Sequence, residues 1–157
     1  MAEIVCLVLW GFAIIIFLSL VSFHISDYEA LGNSTVGNVL GPLGVIIAQV
    51  LRISFGLTSY CTVAILILTG WGLAKYKSIE PVLEHIFSLS FCMVVASLLF
   101  TVLYPETITP YTGGIVGMAL YRVLITIMGL TGTWIVTITL VLISLLLLGF
   151  LPLVIIL

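Results

Sequence analysis

Apolar residues run along this chain in four long stretches, at 4–23, 57–74, 82–103 and 130–153. Each is close to the ~20 residues that carry a helix across a hydrocarbon core, so the pattern predicts four transmembrane helices. Polar residues fall between them. A loop at 24–38 is rich in Ser, Asp, Asn and Gly, and a shorter one at 104–112 is punctuated by Pro105 and Pro110. The second and third stretches are joined by a tight turn at 75–80 that contains Lys75 and Lys77. Pro81 follows, in the first turn of the third helix, where no backbone donor is missed.

A second pattern overlies the first. Gly41, Gly44, Val50, Leu51, Gly56, Leu57 and Thr58 recur 73 positions later as Gly114, Gly117, Val123, Leu124, Gly129, Leu130 and Thr131. The register continues with Val63 on Val136 and Ile65 on Ile138. An echo of fixed period marks a repeated structural unit. The expected fold is an all-α membrane protein whose four transmembrane helices form two span–interfacial helix–span repeats. It is read as one domain over 1–157, with repeat one at about 1–77 and repeat two at about 78–157. The repeat cores, 41–55 and 114–128, are short for a span, bounded by glycines, and carry one arginine each, Arg52 and Arg122. They read as helices at the outer interface, with the arginine reaching toward head groups. The alternative is that 41–74 forms a single steeply tilted or broken helix.

Composition sharpens the class. Of 157 residues, 63% are hydrophobic and 6% charged, and the mean hydropathy is +1.47. A soluble domain carries about 25% charged residues, so this surface is made for lipid. Four basic residues give no phosphate-binding surface for nucleic acid. Lys75 and Lys77 put the basic excess in the 75–80 turn, whereas 24–38 and 104–112 hold no Lys or Arg. Cytoplasmic loops carry that excess, so both termini are expected in the cytoplasm, with Arg52 and Arg122 on the outer side.

Small and hydroxylated residues mark the packing faces. Gly129, Thr133, Thr137, Leu140 and Ser144 recur at helical spacing in the fourth span, and Thr58, Thr62, Ile65, Thr69 and Gly72 in the second. Such residues let helix backbones approach in lipid, and their hydroxyls bond the preceding turn or a partner helix. They serve packing within the bundle, an interface between subunits, or both.

Candidate chemistry is sparse. Glu84 and His85, near the start of the third span, are the one candidate for proton handling; an acid in the first turns of a helix also simply complements its dipole. His24, Asp27 and Glu29 form a polar cluster with too few ligands for a closed zinc site. Cys6, Cys61 and Cys92 share no loop, so neither a disulfide framework nor a metal spacing exists. Tryptophans and tyrosines lie mostly near span boundaries, as an interfacial belt. No G-x-x-x-x-G-K-[ST] occurs. Neither catalysis nor a cofactor is expected.

Read together, several of these residues resemble a known family. The run Ser22-Phe23-His24-Ile25-Ser26-Asp27 is followed by Asn38-x-x-Gly41-Pro42-x-Gly44, Phe55-Gly56-Leu57, Tyr60 and Gly70-Trp71. With Gly113-Gly114-x-x-Gly117 and Gly129 in the second repeat, the order and spacing resemble the N-terminal four-span domain of FtsK/SpoIIIE-type DNA translocases. The chain departs at Ile25, where that family often has proline after its histidine. The resemblance implies a bacterial inner-membrane domain at the division septum that anchors a hexameric DNA motor and contacts other division proteins. The motor would lie beyond the apolar end at 153–157, which reads as the edge of an excised domain. A stand-alone septal scaffold, or a small transporter or channel subunit, are the competing readings. The latter draws on the duplication but lacks a charge at mid-span.

Overall fold

The computed structural model describes residues 2–24, 26, 37–76, 80–104 and 112–148. Its elements are all helical: α1 (Ala2–Val21), α2 (Gly41–Phe55), a 3₁₀ turn (Gly56–Ser59), α3 (Tyr60–Tyr76), α4 (Glu80–Leu103) and α5 (Gly114–Leu147). Four helical stretches are long and apolar enough to cross a membrane: Glu3–Val21, Gly41–Lys75, Val82–Leu103 and Gly114–Leu147. Asp27, Glu29, Lys77, Pro105 and Pro110, with most of the 24–38 loop, lie outside the described residues.

The second and fourth stretches are too long to cross upright as straight helices. Straight helices of 35 and 34 residues would run about 50 Å at 1.5 Å per residue, against a core of ~30 Å. Each is broken at the same repeat position. Gly56 ends α2 at φ 62°, ψ −133°, and the 3₁₀ turn then redirects the chain into α3. Gly129 interrupts α5 at φ 67°, ψ −175°. The helix starts match as well, with Gly41 at φ 63° and Gly114 at φ 70°. All four positive-φ glycines among the described residues are therefore pairs of the 73-residue echo. A side chain at such a φ is strained by ~1–2 kcal/mol, which is why glycine recurs there. The 41–74 segment is a broken helix, and the 3₁₀ turn is its break.

The spans stand in chain order. α1 packs on α3, α3 on α4 and α4 on α5, while α2 lies against α1 and the start of α5. Ala13, Leu20, Ala48 and Val63 form the core of the first repeat, walled by Ile16, Phe23, Leu51, Tyr60 and Leu66. The second repeat buries Val95, Leu98 and Val102 of α4 with Thr133 and Thr137 of α5. Large apolar side chains such as Ile4, Leu7, Phe12, Phe87 and Ile135 point outward, as lipid-facing residues do. Trp10 departs from the expected interfacial belt. It sits in mid-helix and donates to the Ile67 carbonyl across 3.3 Å, because Gly70 opposite it leaves space that a Cβ, 2.6 Å from its Nε1, would fill.

The glycine positions make a direct prediction. Gly114→Ala adds a Cβ 2.5 Å from Phe55 N at a strained φ, and is expected to cost about 2 kcal/mol or more. Gly11→Ala meets open space within a helix, where alanine is favoured by up to ~1 kcal/mol. Thermal unfolding in detergent should rank the two variants on opposite sides of the parent chain.

Candidate functional site

The polar chemistry of the chain concentrates at one end of the helices, where α1 stops, α2 starts and stops, and α5 begins. Asn38, nearly fully buried, organises the start of α2. Its Nδ2 donates to the Ser19 carbonyl (3.0 Å) and its Oδ1 accepts from the Leu40 amide (3.1 Å). Its own carbonyl accepts from the Gly41 amide (2.8 Å). Pro42 occupies the first turn of α2, and Gly44 gives way to Asn38, since a Cβ there would come 2.8 Å from the Leu40 Cβ. The Asn38-x-x-Gly41-Pro42-x-Gly44 run is thus a device that pins α2 to the end of α1.

At the other end of α2, Arg52 is held inward. Its Nη2 donates to the Tyr60 hydroxyl (2.9 Å), which donates in turn to the Leu20 carbonyl (3.2 Å). The guanidinium lies 5.7 Å from the Phe23 ring centroid and 5.4 Å from that of Tyr60, within cation–π range. The expected reach of Arg52 toward head groups is therefore corrected: two aromatic faces and a phenol capture the cation inside the first repeat. Arg122, the arginine of the second repeat core, falls three residues out of register, opposite Gln49, and is exposed. Among the described residues, Gln49 Oε1, Arg52 Nε and Ser59 Oγ are buried without a hydrogen-bond partner. Gln49 and Arg52 are three residues apart, on one face of α2.

The third element is the junction between repeats. The Leu57 amide, just past the end of α2, donates to the Thr112 carbonyl just before α5 (2.9 Å). No side chain fits between these backbones. A Cβ on Gly56 would sit 2.8 Å from Gly114 N, and one on Gly114 would sit 2.5 Å from Phe55 N. Beside them, the Ser97 hydroxyl donates to the Gly113 carbonyl and Thr101 Oγ1 donates to the Ser97 carbonyl (3.0 Å). Gly113 and Gly117 let α5 come close enough for this; a Cβ on Gly117 would be 2.6 Å from Thr101 Oγ1.

The remaining candidates are dispersed. Thr133, Thr137 and Ser144 are buried within the single chain, and their hydroxyls bond the carbonyls of Gly129, Thr133 and Val141 at 2.7–2.8 Å. Gly129 itself is exposed. Thr58 and Thr69 are buried and bond back to Phe55 and Ile65, whereas Thr62 donates across to Met93 Sδ (3.8 Å). Gly70 is buried and its carbonyl accepts from Cys6 Sγ (3.1 Å), while Trp71 is 63% exposed. His24, Lys75, Glu84 and His85 lie on the surface. Among the described residues no group of three or more His, Cys, Asp or Glu could hold a metal ion. Sequence reasoning missed Ser97, Thr101 and Thr112 as partners of the glycine runs. The unbroken Thr112-Gly113-Gly114 triplet was the signal for a close backbone approach.

Removing the Tyr60 hydroxyl alone tests the clamp. Tyr60→Phe keeps the ring under Arg52 but unpairs the guanidinium and the Leu20 carbonyl, an expected loss of about 1–3 kcal/mol. His24→Ala, at an exposed position, should stay within ~0.5 kcal/mol. Detergent unfolding of the two purified variants checks the difference.

Comparison with known proteins gives one finding. A family model described as the 4TM region of DNA translocase FtsK/SpoIIIE matches residues 1–156. Searches of curated proteins and of solved structures return no match.

Proposed function

The chain belongs to the family of four-span membrane regions of FtsK/SpoIIIE DNA translocases, and on that footing we propose that it anchors a DNA-translocating motor in the bacterial inner membrane. In this reading it concentrates at the division septum, self-associates as the base of a hexameric motor, and meets other division proteins there. It thereby serves cell division and chromosome segregation. It binds no cofactor and catalyses no reaction; DNA is reached only through a motor carried outside these residues.

The observation that carries the reading is the match across 1–156 to a fold whose outward surface is lipid-compatible along four spans. A motor that pulls on a polymer must pass the reaction force to something that does not move with it. Apolar helices supply that hold, because each Å² withdrawn into water costs roughly 25 cal/mol. Both termini are cytoplasmic in this reading, which rests on Lys75 and Lys77 near the turn between α3 and α4.

Two measurements test it. A fluorescent fusion of the chain is expected to accumulate at the division site, and uniform labelling of the cell periphery would reject septal targeting. Lys75→Cys, in a background without the native cysteines, is expected to resist a membrane-impermeant maleimide in intact cells and to react after lysis. Labelling of intact cells would invert the topology.

A further inference from the structure

We propose that copies of this chain join head to tail by repeating between chains the glycine junction that the two repeats form within one. The inference rests on the self-association proposed above and names the surface that carries it.

Within the chain, the end of repeat one's short helix meets the start of repeat two's. Gly56 and Gly114 face each other's backbones, and the Leu57 amide bonds the Thr112 carbonyl. The equivalents of these four residues, 73 positions away, are Gly129, Gly41, Leu130 and Val39. Gly129 and Gly41 share the backbone conformation of their counterparts, at φ 67° and 63°. Yet beyond their chain neighbours and own helical turn, neither has an atom within 4 Å of where its Cβ would be. Leu130 is 58% exposed and Val39 69%. Ser54 and Phe55, which crowd Gly114, correspond to Ile127 and Met128, and these are 71% and 54% exposed.

The pattern has a definite meaning. A two-fold relation between the repeats would form both junctions at once inside the chain. Only one forms, so the contact is heterologous and leaves one donor end and one acceptor end unmatched. Two spans per repeat keep both repeats in the same orientation, so repeating the step stays in the plane of the membrane, giving a ring where the rotation closes and an open row where it does not. The open ends are already shaped for each other, because their counterparts fit together in the same molecule. A second copy of this chain is therefore the occupant: Leu130 of one copy donates to the Val39 carbonyl of the next, with Ile127 and Met128 against its Gly41.

The test uses the full chain in its own membrane, with Cys6, Cys61 and Cys92 replaced by alanine. Leu57→Cys with Thr112→Cys is the geometric control, expected to close within one chain because hydrogen-bonded neighbours lie in disulfide range. A Val39→Cys chain co-expressed with a separately tagged Leu130→Cys chain should give an oxidised heterodimer. Each variant alone should give none, and both substitutions on one chain should give a ladder. Adding Gly129→Leu should abolish the ladder. If the control closes and a chemical crosslinker still traps oligomers, but 39 and 130 do not join, the junction is wrong while self-association stands. Dimers of Val39→Cys alone would indicate a two-fold contact and overturn the head-to-tail arrangement. Monomers under every crosslinker would overturn both proposals, leaving lipid as the occupant.

Discussion

Two helix ends meet in this fold with no side chain between them. Gly56 closes α2 and Gly114 opens α5, and the Leu57 amide bonds the Thr112 carbonyl across the gap. An unpaired backbone group away from water costs several kcal/mol, and at this break the Thr112 carbonyl supplies the partner for the Leu57 amide. α2 is held against both α1 and α5, and the end of one repeat meets the start of the next.

Polar side chains finish the same task locally. Asn38 serves the turn into α2, Ser97 and Thr101 serve the turn into α5, and the Thr133 hydroxyl bonds back to the Gly129 carbonyl at the kink. Arg52 belongs to this group more than to the membrane surface. Its guanidinium closes a chain that runs through Tyr60 to the last turn of α1, so a residue read as a surface anchor acts as an internal tie. The large side chains left outside along the spans are mostly apolar, which suits a membrane region.

The four spans were legible in the sequence because long apolar runs record them directly. The repeat glycines were legible as positions; their shared left-handed backbone explains why they recur. Arg52 was misread because hydropathy registers its charge but not Phe23 and Tyr60 waiting across a turn. The mid-helix seat of Trp10 was not legible, since only the tertiary pairing reveals Gly70 opposite it. The hydroxyl stripe of Thr133 and Thr137 left its partner open in the sequence, and the fold buries it inside the single chain. Thr112, Ser97 and Thr101 escaped notice because their role is to meet a backbone far away in the chain, and no local pattern records that.

The core of the first repeat closes among Ala13, Leu20, Ala48 and Val63, all encoded before α4 begins. The glycine junction needs Thr112 and Gly114, and so comes late. During synthesis the first half can therefore settle in the membrane as a finished unit, with Gly56 held open as a socket. The second half then docks into a surface that already exists. Directional growth of the chain thus becomes a sequence of assembly steps, and the last helix to emerge is the one that locks the others.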